Sequence, residues 1–345
     1  MVATITRASW RDISWMRQGM PLCVRVDRRV AGDLIRLLRA RGFLRRDLKI
    51  SRVETRVLIP IEESGVEYLK GLLSGVEHEL VECNPPAVAR RAFAYIPSYD
   101  VIGDVAIVRS RILESISGEE VASTLRAIHP GLKSIYVVEE TVGEYRTMVL
   151  RHLWGEKKEY AEAREYGLIF RVPLGRAYYN PRLAEEHHRI AEVTRDGEVV
   201  LDMFCGVGGF SIHIASLRDA FVVANDKNPE AYKHVVINIK LNSRRLKGVI
   251  YPLNHDALNL PNIVEGEVFD RIIANNPTRS LDFTPVYRHL LRRGGVLHLY
   301  VLSSDIATTY DIIQEKLSDF SIEGHRLVLE HSPRTGVFRV DLVKR

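Results

Sequence analysis

Val199-Val200-Leu201-Asp202-Met203-Phe204-Cys205-Gly206-Val207-Gly208-Gly209-Phe210-Ser211 decides the fold. Its first half is an apolar run with one acid near the end, which reads as a buried strand. Glycines then allow a tight turn, and the apolar helix to Ala215 begins with unpaired N–H groups that suit a ligand. From Gly197 onward, strands at Ala220–Ala224, Gly248–Tyr251 and Phe269–Ala274 alternate with helical segments, the pattern of a parallel, doubly wound sheet. Ligands of such sheets bind at the carboxyl ends of the strands. A glycine-rich turn alone would suit a dinucleotide equally well. Here the Gly-x-Gly-x-x-Gly spacing is missing, and the acidic Asp202 suits a cofactor bearing an ammonium group.

The other strand ends carry matching polar groups. Asp226, about 20 residues beyond the turn, is placed to accept the hydroxyls of a ribose. His255-Asp256-Ala257 follows the third strand at a natural position for an adenine edge, and Asn275-Asn276-Pro277 ends the fourth. These four ends predict S-adenosylmethionine as the ligand, with Asp202, Gly206, Asp226, Asp256, Ala257 and Asn275 around it.

Toward the N-terminus the pattern changes. Asp27–Arg41 places Val30, Leu34, Leu37 and Leu38 at helical spacing, with Gly42 as the stop, and Val53–Ile61 reads as a strand ended by Pro60. After the Asn84-Pro85-Pro86 breaker a second unit opens at Ser98, with strands at Val105–Val108 and Ile135–Val138 and a helix over Glu119–Ile128. The expected architecture is α/β, a C-terminal Rossmann-like doubly wound sheet over 176–345 preceded by two smaller α+β domains, 1–92 and 93–175.

The chain has 345 residues, 46% hydrophobic and 27% charged, a globular composition with no apolar run long enough to span a bilayer. Met1–Met20 lacks the uninterrupted apolar core of a secretory signal, which predicts a cytoplasmic protein. Glutamine occurs only at Gln18 and Gln314, a depletion that points to a thermophile. Cys23, Cys83 and Cys205 are far apart and form no Cys-x-x-Cys pair, so they read as separate inert thiols, and no metal-binding spacing is visible. The net charge of +5 lies wholly in the first hundred residues, which hold 17 Lys+Arg against 12 Asp+Glu, while the remainder is balanced at 32 against 32. Arg39, Arg41, Arg45, Arg46, Lys49 and Arg52 make this segment a candidate polyanion surface.

Five separated motifs complete the reading: Asp202 to Ile212; Asn228-Pro229-Glu230-Ala231 continuing to Asn238 and Asn242; Tyr178-x-Asn180-Pro181-Arg182-Leu183-x-x-Glu186; Gly143-Glu144-Tyr145-Arg146; and Asp100 to Val108. Together they resemble the archaeal and eukaryotic tRNA (guanine-N1)-methyltransferases that act on guanosine-37, beside the anticodon. The resemblance implies a small tRNA-contacting N-terminal domain, a middle domain and a catalytic Rossmann-like domain, in a monomeric enzyme that uses tRNA and S-adenosylmethionine and no membrane. Guanine N1 carries a proton at neutral pH, so the chemistry needs a base and a partner for charge developing on O6. By resemblance Glu186 is the base, Arg146 the O6 partner and Asn275 the group that orients the guanine. Tyr178, Arg182 and Pro277 shape the base pocket, and the resemblance adds His187 and Lys227 to the cofactor residues.

The chain departs from the family pattern at three places. Asn276 stands where a leucine is usual, Gly209 where a proline is usual, and Ala163 where a histidine is often found. A related reaction of wyosine biosynthesis is the alternative: methylation of a tricyclic guanosine, or transfer of the aminocarboxypropyl group. Two further alternatives are methylation of an exocyclic amine, for which Thr278 lacks the aromatic that would stack on the base, and tRNA binding without turnover.

Overall fold

The computed structural model describes residues 21–345 except 46, 54, 87–95, 97, 146 and 333. Arg146 and Arg46, two of the residues singled out above, lie outside the described residues, as does Met1–Met20. The chain divides into two compact units, Met1–Phe93 and Ala94–Arg345. Among the described residues no helix is long and apolar enough to cross a membrane.

The first unit comprises β1 (Leu22–Asp27), α1 (Arg28–Ala40), β2 (Ser51–Val53), β3 (Arg56–Ile61), α2 (Val66–Leu72) and β4 (His78–Glu82), with an antiparallel sheet in the order β2-β3-β1-β4. Asp27 caps α1 by accepting the Arg29 N–H at 2.8 Å, and Gly42 turns the chain away at a φ of 76°. The helix lays Ala31, Leu34 and Leu38 on Val24, Val26, Ile59 and Ile61 of the sheet. Strand β3 runs through Pro60 to Ile61 instead of ending there. The Pro60 carbonyl faces the Arg45 N–H at 3.1 Å, so the missing N–H lies on the side away from β1, where a strand tolerates proline.

The cysteine reading needs correction: Cys23 and Cys83 form a disulfide, with Cα atoms 5.8 Å apart. Antiparallel pairing of β1 with β4 brings them together, and their sequence separation of 60 hides this in the sequence. Cys205 remains a buried free thiol. Part of the excess positive charge is used internally, in the pairs Arg25–Glu79, Arg45–Asp47 and Arg56–Glu79.

The second unit begins with β5 (Tyr99–Ile102), β6 (Val105–Arg109), α3 (Gly118–Ile128), β7 (Ser134–Val142) and β8 (Thr147–Gly155), a four-stranded sheet in chain order with α3 packed on it. A hairpin follows, β9 (Tyr160–Glu165) and β10 (Leu168–Pro173), and then α4 (Ala184–Val193). The remaining elements are β11 (Val199–Asp202), α5 (Gly209–Leu217), β12 (Phe221–Asn225), α6 (Pro229–Asn242), β13 (Val249–Leu253), β14 (Phe269–Ala274), α7 (Thr284–Leu290), β15 (Leu291–Ser303), α8 (Ile306–Lys316), β16 (Phe320–Ser332) and β17 (Thr335–Lys344). Their seven strands form one sheet in the order β13-β12-β11-β14-β15-β17-β16, parallel except for β17, which runs against both its neighbours. This is the Rossmann-like fold read from the sequence, with an antiparallel C-terminal edge that the sequence reading did not anticipate.

Alternating side chains face opposite layers. Leu201, Ile272, Leu297 and Leu299 pack with Tyr287 and Leu290 of α7, whereas Val200, Ile273 and Tyr300 pack with Ile190 of α4 and Phe210 and Ile214 of α5. Two buried asparagines dock the hairpin. Asn242 accepts the Ile169 N–H (2.9 Å) and donates to its carbonyl (2.7 Å), while Asn238 does the same for Arg171 (2.7 and 3.2 Å) and also reaches the Val207 carbonyl (2.9 Å). Spaced four apart on one face of α6, they present to the outer edge of β10 what a neighbouring strand would.

Candidate active site

The chain leaves β11, fills one side of the sheet with β12 and β13, and crosses back to β14 on the other side. The crevice beyond the carboxyl ends of β11 and β14 is therefore the switch point where such sheets bind ligands. Asp202 ends β11 there, fully buried. Its Oδ2 accepts from the Ser211 hydroxyl (2.6 Å) and N–H (3.2 Å), but its Oδ1 is buried without a partner. Burial pushes this carboxyl up to about 7, against the pull of Ser211 and His187. A buried acceptor with an unused oxygen is costly unless a donor arrives, and a cationic ammonium is the donor that would answer it best.

The neighbouring strand ends are laced together. Asp226 accepts the Gly206 N–H through Oδ2 (2.8 Å) and the Asn228 N–H through Oδ1 (2.9 Å), and burial raises its pKa. Each oxygen keeps a lone pair for a hydroxyl. Gly206, at a φ of 55°, could carry no side chain without approaching the Tyr178 carbonyl within 3.1 Å, so Tyr178 lies against the glycine turn. Lys227 donates to Glu144 (2.8 Å) and pairs with Asp256 (2.9 Å), tying the 143–145 turn to the segments that follow β12 and β13. The hydrogen bond from Lys227 holds the Asp256 carboxyl below its ordinary range. Ala257 is buried behind it. Asn225 and Asn254, given no separate role in the sequence reading, join these ends through the Met203, Asp226 and Lys227 carbonyls.

Asn275 and Asn276 follow β14 directly, and the Pro277 carbonyl accepts the Leu302 N–H at 2.9 Å, fixing this segment to β15. Arg182, half-exposed, pairs with Asp100 of β5 (2.9 Å), so two of the sequence motifs meet in one ion pair.

Glu186 and His187 are consecutive on α4, and both are buried. Glu186 Oε1 accepts from Tyr300 (2.8 Å) and Arg339 (2.7 Å). Arg339 also donates to Asp341 (3.1 Å), which contacts His298 Nδ1 (2.6 Å); His298 Nε2 meets Arg271, and Arg271 holds Glu198 (2.7 Å). A line of buried charge thus crosses β17, β15 and β14 to the carboxylate of Glu186. His187 faces Glu165, with Nδ1 2.8 Å from Oε2. Sequence reading missed Glu165, Tyr300 and Arg339. The available signal was a charge standing in an apolar strand, as Arg339 does between Phe338 and Val340.

The chain is similar to known proteins in both sequence and fold. The TRM5/TYW2 methyltransferase domain matches residues 161–323, and the tRNA methyltransferase 5 N-terminal domain matches residues 23–68. The tRNA (guanine(37)-N(1))-methyltransferase Trm5b of Pyrococcus abyssi is 32% identical over 342 residues, covering 93% of this chain and 98% of the relative. A tRNA 4-demethylwyosine(37)-methyltransferase, Taw21 of Saccharolobus solfataricus, is 30% identical over 204 residues, 58% of this chain and 76% of its own. Among solved structures, the complex of aTrm5 with tRNALeu superimposes with a TM-score of 0.74 at 27% identity, covering 94% of this chain and all of that one. With a relative matched almost end to end and both domains of the family present in order, the chain belongs to the TRM5/TYW2 family of methyltransferases and carries the N-terminal domain of tRNA methyltransferase 5.

Proposed function

We propose that this protein methylates N1 of guanosine-37 in tRNA, with S-adenosylmethionine as donor. The observation that carries the cofactor is the buried, unpartnered Oδ1 of Asp202 beside the Gly206–Gly209 turn. Asp202 would take the ammonium, Asp226 the ribose, and Asp256 with Ala257 the adenine, while His187, Lys227 and Asn275 complete the surround. The relatives named for guanine-37 carry the choice of substrate, since they match the chain over nearly its whole length.

S-adenosylmethionine, when bound, supplies an electrophilic methyl group on a sulfonium. The chain must free a lone pair on guanine N1. In this reading Glu186 takes the N1 proton on Oε2, which has Arg189 Nε at 3.8 Å, while Tyr300 and Arg339 occupy Oε1. Arg146 meets the charge that spreads to O6, and Asn275 orients the base edge between Tyr178, Arg182 and Pro277. N1 then forms its bond to the methyl carbon as the carbon–sulfur bond breaks, leaving 1-methylguanosine and S-adenosylhomocysteine. The basic first unit would hold the tRNA body, distant phosphates supplying affinity that falls steeply with salt. Extracting the base from the loop costs a few kcal/mol, which the pocket must recover.

The second reading is methylation of 4-demethylwyosine at the same position. Asn276 favours it, replacing the usual apolar residue of the family pattern by one that could hydrogen-bond a larger tricycle, and the Taw21 relative performs such a reaction by name. Nucleoside mass spectrometry decides between them: unmodified tRNA with guanosine-37 should yield 1-methylguanosine, and an adenosine-37 control should not. Product only from tRNA carrying 4-demethylwyosine would establish the second reading, and a mass gain of an aminocarboxypropyl group would refute both.

A further inference from the structure

Behind the glycine turn lies a buried cluster of which the proposed function uses only His187. Glu165, at the end of β9, is almost wholly buried, and three donors converge on it: the Tyr179 hydroxyl on Oε1 (2.6 Å), and His187 Nδ1 (2.8 Å) and His213 Nε2 (3.0 Å) on Oε2. We propose that Glu165, seconded by His213, is the positioning residue of the cofactor turn: it keeps the proton of His187 on Nδ1 and fixes the imidazole as the support beneath Gly209. The inference rests on the reading that this turn holds S-adenosylmethionine.

The protonation pattern follows from donor arithmetic. Burial alone would raise the Glu165 carboxyl, but hydrogen bonds from His187, His213 and Tyr179 prevail and hold it at about 2. An ionised carboxylate only accepts, so both ring nitrogens facing it carry hydrogen. His213 is completely buried, its pKa lowered by that burial, and its Nδ1 has no partner. A neutral ring that leaves one nitrogen unsatisfied spends its only N–H on Glu165. His187 Nδ1 faces the same carboxylate oxygen and so donates a hydrogen to it as well.

The ring so fixed touches the turn. A Cβ on Gly209 would lie 2.5 Å from Cε1, 2.6 Å from Nε2 and 2.9 Å from Nδ1 of His187, so the glycine backbone rests directly on the imidazole. Phe210 meets the ring edge-on at 4.6 Å between centroids. Gly209 opens α5, where the free N–H groups of a helix start are presented. Rotation of His187 would therefore move the backbone that faces the ligand.

The three groups also offer nitrogen and oxygen atoms within 4.8 Å of one another, the donor types of a metal site. The distances favour hydrogen bonding. A tetrahedral zinc ion with bonds of about 2.0–2.1 Å would hold its ligand atoms roughly 3.3 Å apart, farther than the 2.8 and 3.0 Å found here.

Glu165→Leu in the full chain tests the proposal. Leucine fills the space but accepts nothing, so ring ¹⁵N spectra should show His187 released from the Nδ1–H form. Calorimetry with S-adenosylhomocysteine should show a Kd raised about tenfold, the value of one well-oriented hydrogen bond, with tRNA affinity unchanged. Should that variant not fold, His187→Asn, which keeps a donor to Glu165 but removes the ring from beneath Gly209, should raise the Kd likewise. A wild-type Nε2–H tautomer, unchanged Kd values in folded variants, or stoichiometric zinc in the purified protein would each overturn the inference. A wild-type protein that binds no S-adenosylhomocysteine would overturn the cofactor reading along with it.

Discussion

Replacing Asp202 by asparagine should make the ligand-free protein more stable, in a pH-dependent way. A carboxyl lifted to about 7 by burial in the folded chain returns to its ordinary value on unfolding. The folded state therefore binds the proton more tightly, and stability falls as pH rises from about 4 to 7. Above pH 7 the cost is about 4 kcal/mol, taking 1.36 kcal/mol per pKa unit, and at pH 5 it is about 1–2 kcal/mol. The asparagine amide would retain an oxygen for Ser211 and place an uncharged group where the unpartnered carboxylate oxygen stood. Urea denaturation followed by circular dichroism should show Asp202→Asn stabilised by about 2–4 kcal/mol at pH 8 and by clearly less at pH 5. S-adenosylhomocysteine affinity should fall by roughly 10- to 100-fold, the loss of a charge-assisted bond. No gain at pH 8, or an equal gain at both pH values, would refute the argument that burial of an uncompensated charge maintains this site.

Glu186→Gln should lower kcat by about 10²–10⁴ while S-adenosylhomocysteine and tRNA affinities stay within a few-fold, as single-turnover assays and titrations would measure; a loss confined to KM would remove Glu186 as base. Arg339→Met leaves Glu186 and Asp341 without their shared cation and should cost about 3–5 kcal/mol in chemical denaturation, with Glu186→Gln in the same chain recovering part of that loss. Reduction of Cys23–Cys83 should destabilise the first unit by about 2–4 kcal/mol without changing cofactor affinity, seen as a lower melting transition in dithiothreitol. Removing residues 1–92 should weaken tRNA binding far more than S-adenosylhomocysteine binding; equal losses would place the first unit's role elsewhere.

What could be read from the sequence was local. Asp202, Asp226 and Asp256 each end or follow a short apolar run, so strand ends and a candidate site were legible in the same few residues. Helix α1 announced itself through Asp27 at its start, its apolar spacing and Gly42 at its end. Hidden features join distant segments: Arg339 and Tyr300 lie 153 and 114 residues from Glu186, and His213 lies 48 from Glu165. Cys23 and Cys83 belong with these, since only the register of β1 with β4 brings them together. The antiparallel β15–β17 edge escaped because a strand's direction is set by its connections and leaves no mark in its own residues.

The asparagine pair on α6 bears on solubility as well as on packing. A two-stranded hairpin has two open margins, and open margins recruit strands from other molecules. By answering the outward N–H and C=O groups of Ile169 and Arg171 with side-chain amides, Asn238 and Asn242 leave that margin nothing to offer a passing chain. Aspartate at either position could accept but not donate, so a single deamidation would leave the Ile169 or the Arg171 carbonyl without its amide donor. Amides hydrolyse fastest when hot, and the burial of both side chains keeps water from the bonds that hold the molecule to itself.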